Sequence, residues 1–475
     1  MKLPASILEK VEEKIAQTFD LPARIPRPPG PDAIQTVKNH LTFAADPIDG
    51  LRTLFNKYGS TSYFRLGTFQ NYVFTDPEDI EEILLRKNDS FHKDSMLHEL
   101  DNVLGRGLLT AEGDFWRGQR KLISPTLRRK HIESYADTMV AHTQEMLDEW
   151  KSGEVRDFHE DIMGVTLRIV VKTLFNLDLQ AEYLEVGDLL EVVLEHFFER
   201  VNTAWRFVPQ PLPTPMRAKN RHAVERLDTL IYQLIEMRRR QAKADSEAGR
   251  DEGNDLLYRL LMAVDEDGHK MDNRQVRDEA MTFLLAGHET TALAITYAWH
   301  FMAAHPDAAA KVRDEVDAVL GGRAATVEDV EKLPYTRAFL NETMRIYPPA
   351  WIIGREAIED VEIGGWTIPR GAQVLVPQSV VHMDPRWFED PEAFRPERWL
   401  DGLEKRLPRF AYFPFGGGAR VCIGNYFAQM EAVLVVATMA QQIELEDVSP
   451  EALRTRPAVT QRPLTAIKMK VTRRS

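Results

Sequence analysis

Phe413-Pro414-Phe415-Gly416-Gly417-Gly418-Ala419-Arg420-Val421-Cys422-Ile423-Gly424 is the stretch on which the reading of this chain turns. Cys422 is the only cysteine in 475 residues. It has no partner for an intrachain disulfide, and one thiol does not make a tetrahedral zinc site. In most sequences a lone cysteine is a small buried apolar residue. The neighbours here argue for another use. Three successive glycines open backbone conformations closed to other residues and allow close approach to a flat ligand. Gly424 suits a sharp turn into a helix, and the apolar run from Ala432 to Met439 reads as that helix, buried. Such a turn aims backbone N–H groups at the sulfur, which stabilises a thiolate and tunes its electron donation. Arg420 adds a cation nearby.

A metal held by one protein thiolate, with a macrocycle filling its other positions, is haem iron. The pattern Phe415-x-x-Gly418-x-Arg420-x-Cys422-x-Gly424 resembles the haem-binding signature of the cytochrome P450 family. The resemblance implies Cys422 as iron ligand, with Phe415, Arg420 and Gly424 at the cofactor. It implies haem b (iron protoporphyrin IX) as cofactor and O2 as co-substrate. The implied fold is mainly α with small β-sheets, a triangular prism with a long central helix over the haem.

Composition sets the frame. The length would ordinarily suggest two or three domains. The motifs are scattered yet need one another, so the expectation is a single haem-binding domain over 1–475, with residues 1–31 as an N-terminal helix and proline-rich connector. A net charge of −13 argues against nucleic acid as a partner. Low cysteine use fits a reducing cytoplasm. No secretory signal is visible, and no uncharged apolar run reaches the ~18–20 residues that span a bilayer. The nearest candidate, Ala280–Ala304, carries His288 and Glu289 at its middle and reads as a central helix instead.

Taken in order, Ile7, Leu8, Val11, Ile15 and Phe19 share a helical face, expected to pack on the protein's own fold, with a membrane surface as the alternative. Ser62–Leu66 and Asn71–Thr75, broken by Gly67, form a hairpin, and Phe91–Leu109 is mostly loop. Trp116 and Arg120 lie one helical turn apart, an indole N–H and a guanidinium suited to a carboxylate. The resemblance makes that carboxylate a haem propionate, with Arg355 as a second propionate ligand. Arg117, Arg120, Lys121, Arg128, Arg129 and Lys130 form a basic block with no acidic residue from Phe115 to His131. Charge runs are usually solvated faces. By resemblance this one docks an acidic electron donor.

Helices are expected at Leu51–Tyr58, Ile132–Glu149, Met163–Phe175, Ala181–Phe198, His222–Arg240 and Tyr335–Ile346. Val201–Pro215 is rich in proline and aromatics and resembles the family's lid. Gln241–Asn254 reads as exposed loop. Asp272–His305 is one long helix, about 50 Å. Its Ala286-Gly287-His288-Glu289-Thr290-Thr291 resembles the family's oxygen-activating motif. Gly287 lets the helix open, Thr290 offers a hydroxyl to the oxygen ligand, and Glu289 relays protons. The bland alternative is a threonine that bonds its own preceding turn. Glu342, Arg345 and Arg398 resemble a structural triad that holds the segment before Cys422 in register. Val361–Ile363, Trp366–Ile368, Gln373–Val376 and Thr465–Thr472 read as strands, and the turn Pro457–Pro463 reaches back toward the substrate.

The reading that follows is a haem-thiolate monooxygenase that hydroxylates an apolar substrate. No flavin or iron–sulfur signature accompanies it, so electrons are expected from a separate protein, a ferredoxin- or flavodoxin-type donor with its reductase, or from a domain outside this sequence. The central-helix motif and Pro396-Glu397-Arg398-Trp399 resemble those of fatty-acid-hydroxylating members, which implies a medium- or long-chain acid first, with terpenoids, steroids and other polycyclic hydrocarbons open. Arg200, Arg206 and Arg217 are candidate anchors for a carboxylate. A peroxide-driven peroxygenase and a non-enzymatic haem-thiolate sensor are the rivals; Glu289-Thr290 speaks against the former.

Overall fold

The computed structural model describes residues 26–32, 46–66, 69–176, 185–202, 214–248, 255–264, 268 and 270–474. The expected N-terminal helix and the core of the lid segment, with Arg206, lie outside these. The main helices, in chain order, are α1 Pro47–Tyr58, α2 Gly113–Ile123, α3 Ala136–Glu149, α4 Phe158–Phe175, α5 Glu185–Asn202, α6 Pro215–Glu247, α7 Leu256–Met262, α8 Asn273–Ala304, α9 Pro306–Leu320, α10 Pro334–Ile346, α11 Gln378–Val381 and α12 Asn425–Gln442. The strands are β1 Thr61–Leu66, β2 Phe69–Phe74, β3 Phe91–Lys93, β4 Val155–Asp157, β5 Ile353–Ala357, β6 Val361–Ile363, β7 Trp366–Ile368, β8 Gln373–Val376, β9 Ile443–Asp447, β10 Thr455–Pro457, β11 Gln461–Pro463 and β12 Lys468–Arg473. Two compact units result, each assembled from three separated stretches of chain.

One unit takes the residues up to His98 with Trp351–Pro391 and Leu407–Val421. Its sheet runs β1-β2-β8-β5-β3. The β1–β2 hairpin is antiparallel, with Tyr63 opposite Tyr72, while β2 and β8 are parallel. Strand alternation divides the side chains between two faces. Tyr72, Phe74, Val374 and Val376 pack with Ile83, Ile363, Phe410 and Phe413. Val73 and Leu375 point the other way, onto Leu51 and Leu54 of α1.

The other unit takes Glu99–Ala350, Glu392–Arg406 and Cys422–Ser475. Its axis is α8, 32 residues long, or about 48 Å at 1.5 Å per residue. A capping box starts it: the Asp272 side chain accepts from Gln275 N at 2.8 Å and the Gln275 side chain accepts from Asp272 N at 2.8 Å. Ala292, Ile295 and Trp299 of α8 share a core with Phe158, Ile162 and Val165 of α4, Phe339 of α10, and Val433, Leu434 and Val436 of α12. The central part of α12, Met430–Ala440, is buried on all faces, and its sequence is apolar there apart from Glu431 and Thr438. A second sheet, β4-β12-β9, and the hairpin β10–β11 complete this unit.

The structure departs from expectation at identifiable places. Helix α6 runs on to Glu247, where the sequence suggested a loop. Pairs one turn apart support the extension: Gln241 donates to Asp245 at 3.0 Å, and Lys243 faces Glu247 at 3.9 Å. Alanine, glutamine, lysine and glutamate are strong helix formers, so charge and small size misled. The helix expected over Ile132–Glu149 divides into a turn, Arg129–Glu133, and α3. Strands β3, β4 and β5 escaped notice because each is short and exists only through distant pairing, as β3 does with β5.

Candidate functional site

The loop that runs to Cys422 is shaped by its glycines. Gly416 and Gly418 have φ of +70° and +66°, a region that penalises any Cβ. A Cβ on Gly418 would lie 1.8 Å from the Leu84 carbonyl oxygen, and one on Gly417 would lie 2.2 Å from the Phe410 ring. The glycine run therefore answers first to the protein's own backbone and rings. Gly418–Arg420 forms a single 3-10 turn, and Phe415 and Arg420 are half-buried. In the same unit Arg355 is buried on β5, its Nη1 donating to the Gly354 carbonyl at 2.8 Å. A Cβ at Gly354 would lie 1.3 Å from the Asp94 carboxylate.

Cys422 belongs to the other unit, just before α12, and Gly424 is the residue preceding that helix. The cysteine keeps an open face. Protein nevertheless crowds it enough that burial pushes the thiol up, against the pull of the Gly424 N–H and of the Arg120 charge. Burial in turn pulls the Arg120 guanidinium down, and the sulfur opposes that. Cys422 and Arg120 are thus electrostatic neighbours across some 300 residues of chain, and Trp116, buried, stands one turn before Arg120 on α2. A thiolate at this position gains from a metal cation that fixes it ionised. Among the described residues no cluster of three or more His, Cys, Asp or Glu side chains could hold a metal. Haem, which brings its own ring nitrogens, fits a site at which the protein supplies one thiolate.

Helix α8 presents a narrow open stripe. Ala286 is exposed and Phe283, Gly287 and Thr290 are half-buried, while most of their neighbours on α8 are buried. These positions recur at helical spacing, so they form one face. The helix is unbroken through the motif. Gly287 instead makes room for a neighbour, since a Cβ there would lie 3.3 Å from Val170 of α4. Thr290 Oγ1 donates to the Ala286 carbonyl at 2.6 Å. With its proton committed there, Oγ1 faces the open stripe as an acceptor.

Glu289 points the other way and is buried. Its Oε1 accepts from Thr460 Oγ1 at 2.9 Å and from Arg462 Nε. Arg462 Nη1 also donates to Glu191 Oε2 on α5 at 2.6 Å. Thr460 and Arg462 come from the β10–β11 hairpin, which is tied to α8 by Tyr297 Oη donating to the Gln461 carbonyl at 2.5 Å. The sequence marked the turn Pro457–Pro463 as returning to the site, but neither residue in it. Two histidines flank Arg462. Burial first, then the Arg462 charge, pulls His288 down to about 3 and His159 to about 4, so both are neutral.

The expected triad is complete and larger than expected. Glu342 and Arg345 are wholly buried. Arg345 donates to Glu342 from Nε and Nη2 at 2.9 and 2.8 Å, and Arg398 Nε donates at 3.0 Å. The Trp399 indole and the Arg395 main-chain N–H add bonds of 2.9 Å each. Of the candidate carboxylate anchors, Arg200 is spoken for: it grips Glu99 with two bonds of 3.1 and 2.8 Å. Arg217 begins α6 and is partly buried.

Comparison with known proteins agrees with this geometry. The family model for Cytochrome P450 matches residues 28–469. Cyclooctat-9-en-7-ol 5-monooxygenase of Streptomyces melanosporofaciens is 34% identical over 393 residues, 82% of this chain and 83% of that protein. Cyclooctatin synthase of the same organism is 32% identical over 432 residues, 90% and 92% of the two chains. Pentalenene oxygenase of Streptomyces avermitilis is 31% identical over 437 residues, 90% and 94%. With a matching family model and such coverage, this chain belongs to the cytochrome P450 family and is an oxidoreductase of the monooxygenase kind.

Proposed function

We propose that the chain binds haem b through Cys422 and hydroxylates a cyclic terpenoid hydrocarbon. Electrons would come from a ferredoxin- or flavodoxin-type donor in a reducing cytoplasm. The observation that carries the reading is the single cysteine, open on one face, with the Gly424 N–H and the Arg120 charge both acting on its sulfur. The substrate class rests on relatives named for cyclooctat-9-en-7-ol and pentalenene. It rests also on Arg200, whose charge is already matched by Glu99 and is not open to a fatty carboxylate.

Haem, once bound, supplies the electron storage and oxygen activation that no side chain provides. The chain's own groups do the rest. Gly424 N–H and Arg120 favour negative charge at Sγ of Cys422 against the pull of burial, and Arg120 with Trp116 offers the donors a propionate needs. Thr290 Oγ1 is held as an acceptor by its bond to Ala286, and so receives a proton-bearing group on the open stripe of α8. Glu289 is the nearest titratable carboxyl in the motif. To carry protons it must exchange Thr460 and Arg462 for water.

The test is reconstitution with haemin and reduction under carbon monoxide. A red-shifted thiolate-type Soret band is expected, and its absence would end the reading. Thr290→Ala should keep substrate binding yet consume reducing equivalents with about tenfold less product per electron pair. Unchanged coupling would remove Thr290 from the mechanism.

A further inference from the structure

The loop ahead of Cys422 is gripped at its first residue by two side chains outside the known motifs. Gln378 and His382 stand one helical turn apart, at the start of α11 and just past its end, and both are wholly buried. Gln378 Nε2 donates to the Phe413 carbonyl at 2.6 Å. The Phe413 N–H donates to His382 Nε2 at 3.0 Å. The same carbonyl accepts Gly416 N–H at 2.9 Å, the bond that closes the first turn of the glycine run. The His382 ring stands perpendicular to the Phe413 ring, with centroids 5.3 Å apart. Pro414 follows and offers no N–H, so Phe413 carries the last main-chain donor before Phe415.

Both contacts are chemically exacting. A carbonyl oxygen accepts only from the amide nitrogen of Gln378, so the opposite amide orientation would repel it. A main-chain N–H needs a bare ring nitrogen, and Nε2 of His382 stands where it supplies one. Apolar packing alone would ask for neither group.

We propose that Gln378 and His382 are positioning residues for the haem-thiolate centre: they clamp Phe413 and so set the start of the loop that presents Cys422. This rests on the haem-thiolate reading and adds to it a stretch, Gln378-Ser379-Val380-Val381-His382, that the cysteine signature does not include.

Four variants test the clamp. His382→Leu removes the acceptor, and His382→Gln restores one near the position of Nε2. Gln378→Glu keeps shape and removes the donor. Val380→Ala truncates a buried apolar residue of the same turn without touching Phe413. Amide hydrogen exchange on cofactor-free protein is the first readout. Segments covering Phe413 to Gly418 should exchange about tenfold faster in His382→Leu and Gln378→Glu, as loss of one buried hydrogen bond implies. His382→Gln and Val380→Ala should stay within about threefold of wild type. The second readout is the ferrous carbonyl spectrum, in which the first two variants convert from the thiolate to the thiol band at least about tenfold faster. Exchange and spectra unchanged in His382→Leu, or equally disturbed in His382→Gln or Val380→Ala, overturn the clamp. If wild type shows protected exchange that His382→Leu abolishes, yet no thiolate band, the clamp stands as structure, and its role at a haem centre falls with the haem reading.

Discussion

At the scale of single residues, energies follow from how many buried groups a side chain satisfies. Glu342 accepts from two guanidiniums, an indole and a main-chain N–H. Glu342→Ala leaves two buried cations without a counter-charge and should cost about 3–5 kcal/mol in denaturant melts. Trp399→Phe removes one donor from the same carboxylate and should cost about 1–2 kcal/mol. Near-equal losses would mean that the network is not centred on Glu342. Thr290 illustrates two readings in one side chain. The bond to Ala286 is the ordinary one for a helical threonine, and it is also what turns Oγ1 into an acceptor on the open stripe.

At the scale of elements, backbone geometry decides. Gly418 combines a positive φ with contact against the Leu84 carbonyl, so neither a rotamer change nor a flexible neighbour can admit a methyl group. Gly418→Ala should abolish haem incorporation, read as loss of Soret absorbance in purified protein. Helix α8 offers a gentler test. Its capping box secures the first turn of a helix that is otherwise held by packing, so Asp272→Ala should cost only about 1 kcal/mol.

At the scale of the whole molecule, charge and titration matter most. The chain is acidic, yet Arg117, Lys121, Arg128, Arg129 and Lys130 are all exposed along α2 and the turns after it. Arg117 is matched by Asp114 and Arg129 by Glu133. The Arg128→Glu, Lys130→Glu double variant should raise KM for an acidic donor about tenfold at low salt, with the difference shrinking as salt rises. Stability should also bend with pH on both sides. Burial raises Glu279 of α8 to about 8, against the help of the Leu108 N–H. The native state thus keeps a proton that the unfolded chain releases, so this contribution is full below the unfolded value and is lost as pH climbs through 8. His159 and His288 act in the opposite sense. Their native values are depressed, so their contribution is full above about 6.5 and declines on acidification as the unfolded chain takes up protons. Melting temperature should therefore fall toward both limits. Glu279→Gln, which still accepts from Leu108, should flatten the alkaline limb alone.

Much of this was legible in the sequence because the governing interactions are local. Cys422 and its glycines, the Ala286–Thr291 motif of α8, and the Glu342–Arg345 spacing each carry their physics within a few residues. The single thiol and the turn before α12, through their resemblance to a family signature, pointed to the cofactor class. Only the tertiary structure decided what joins residues far apart in the chain. Arg120 stands beside Cys422, Thr460 and Arg462 engage Glu289, Glu99 occupies Arg200, and Gln378 and His382 hold Phe413. None of these pairs has a periodic or compositional signature. Each exists because burial leaves a polar group no water to bond, and the fold alone determines which distant group is there to replace it.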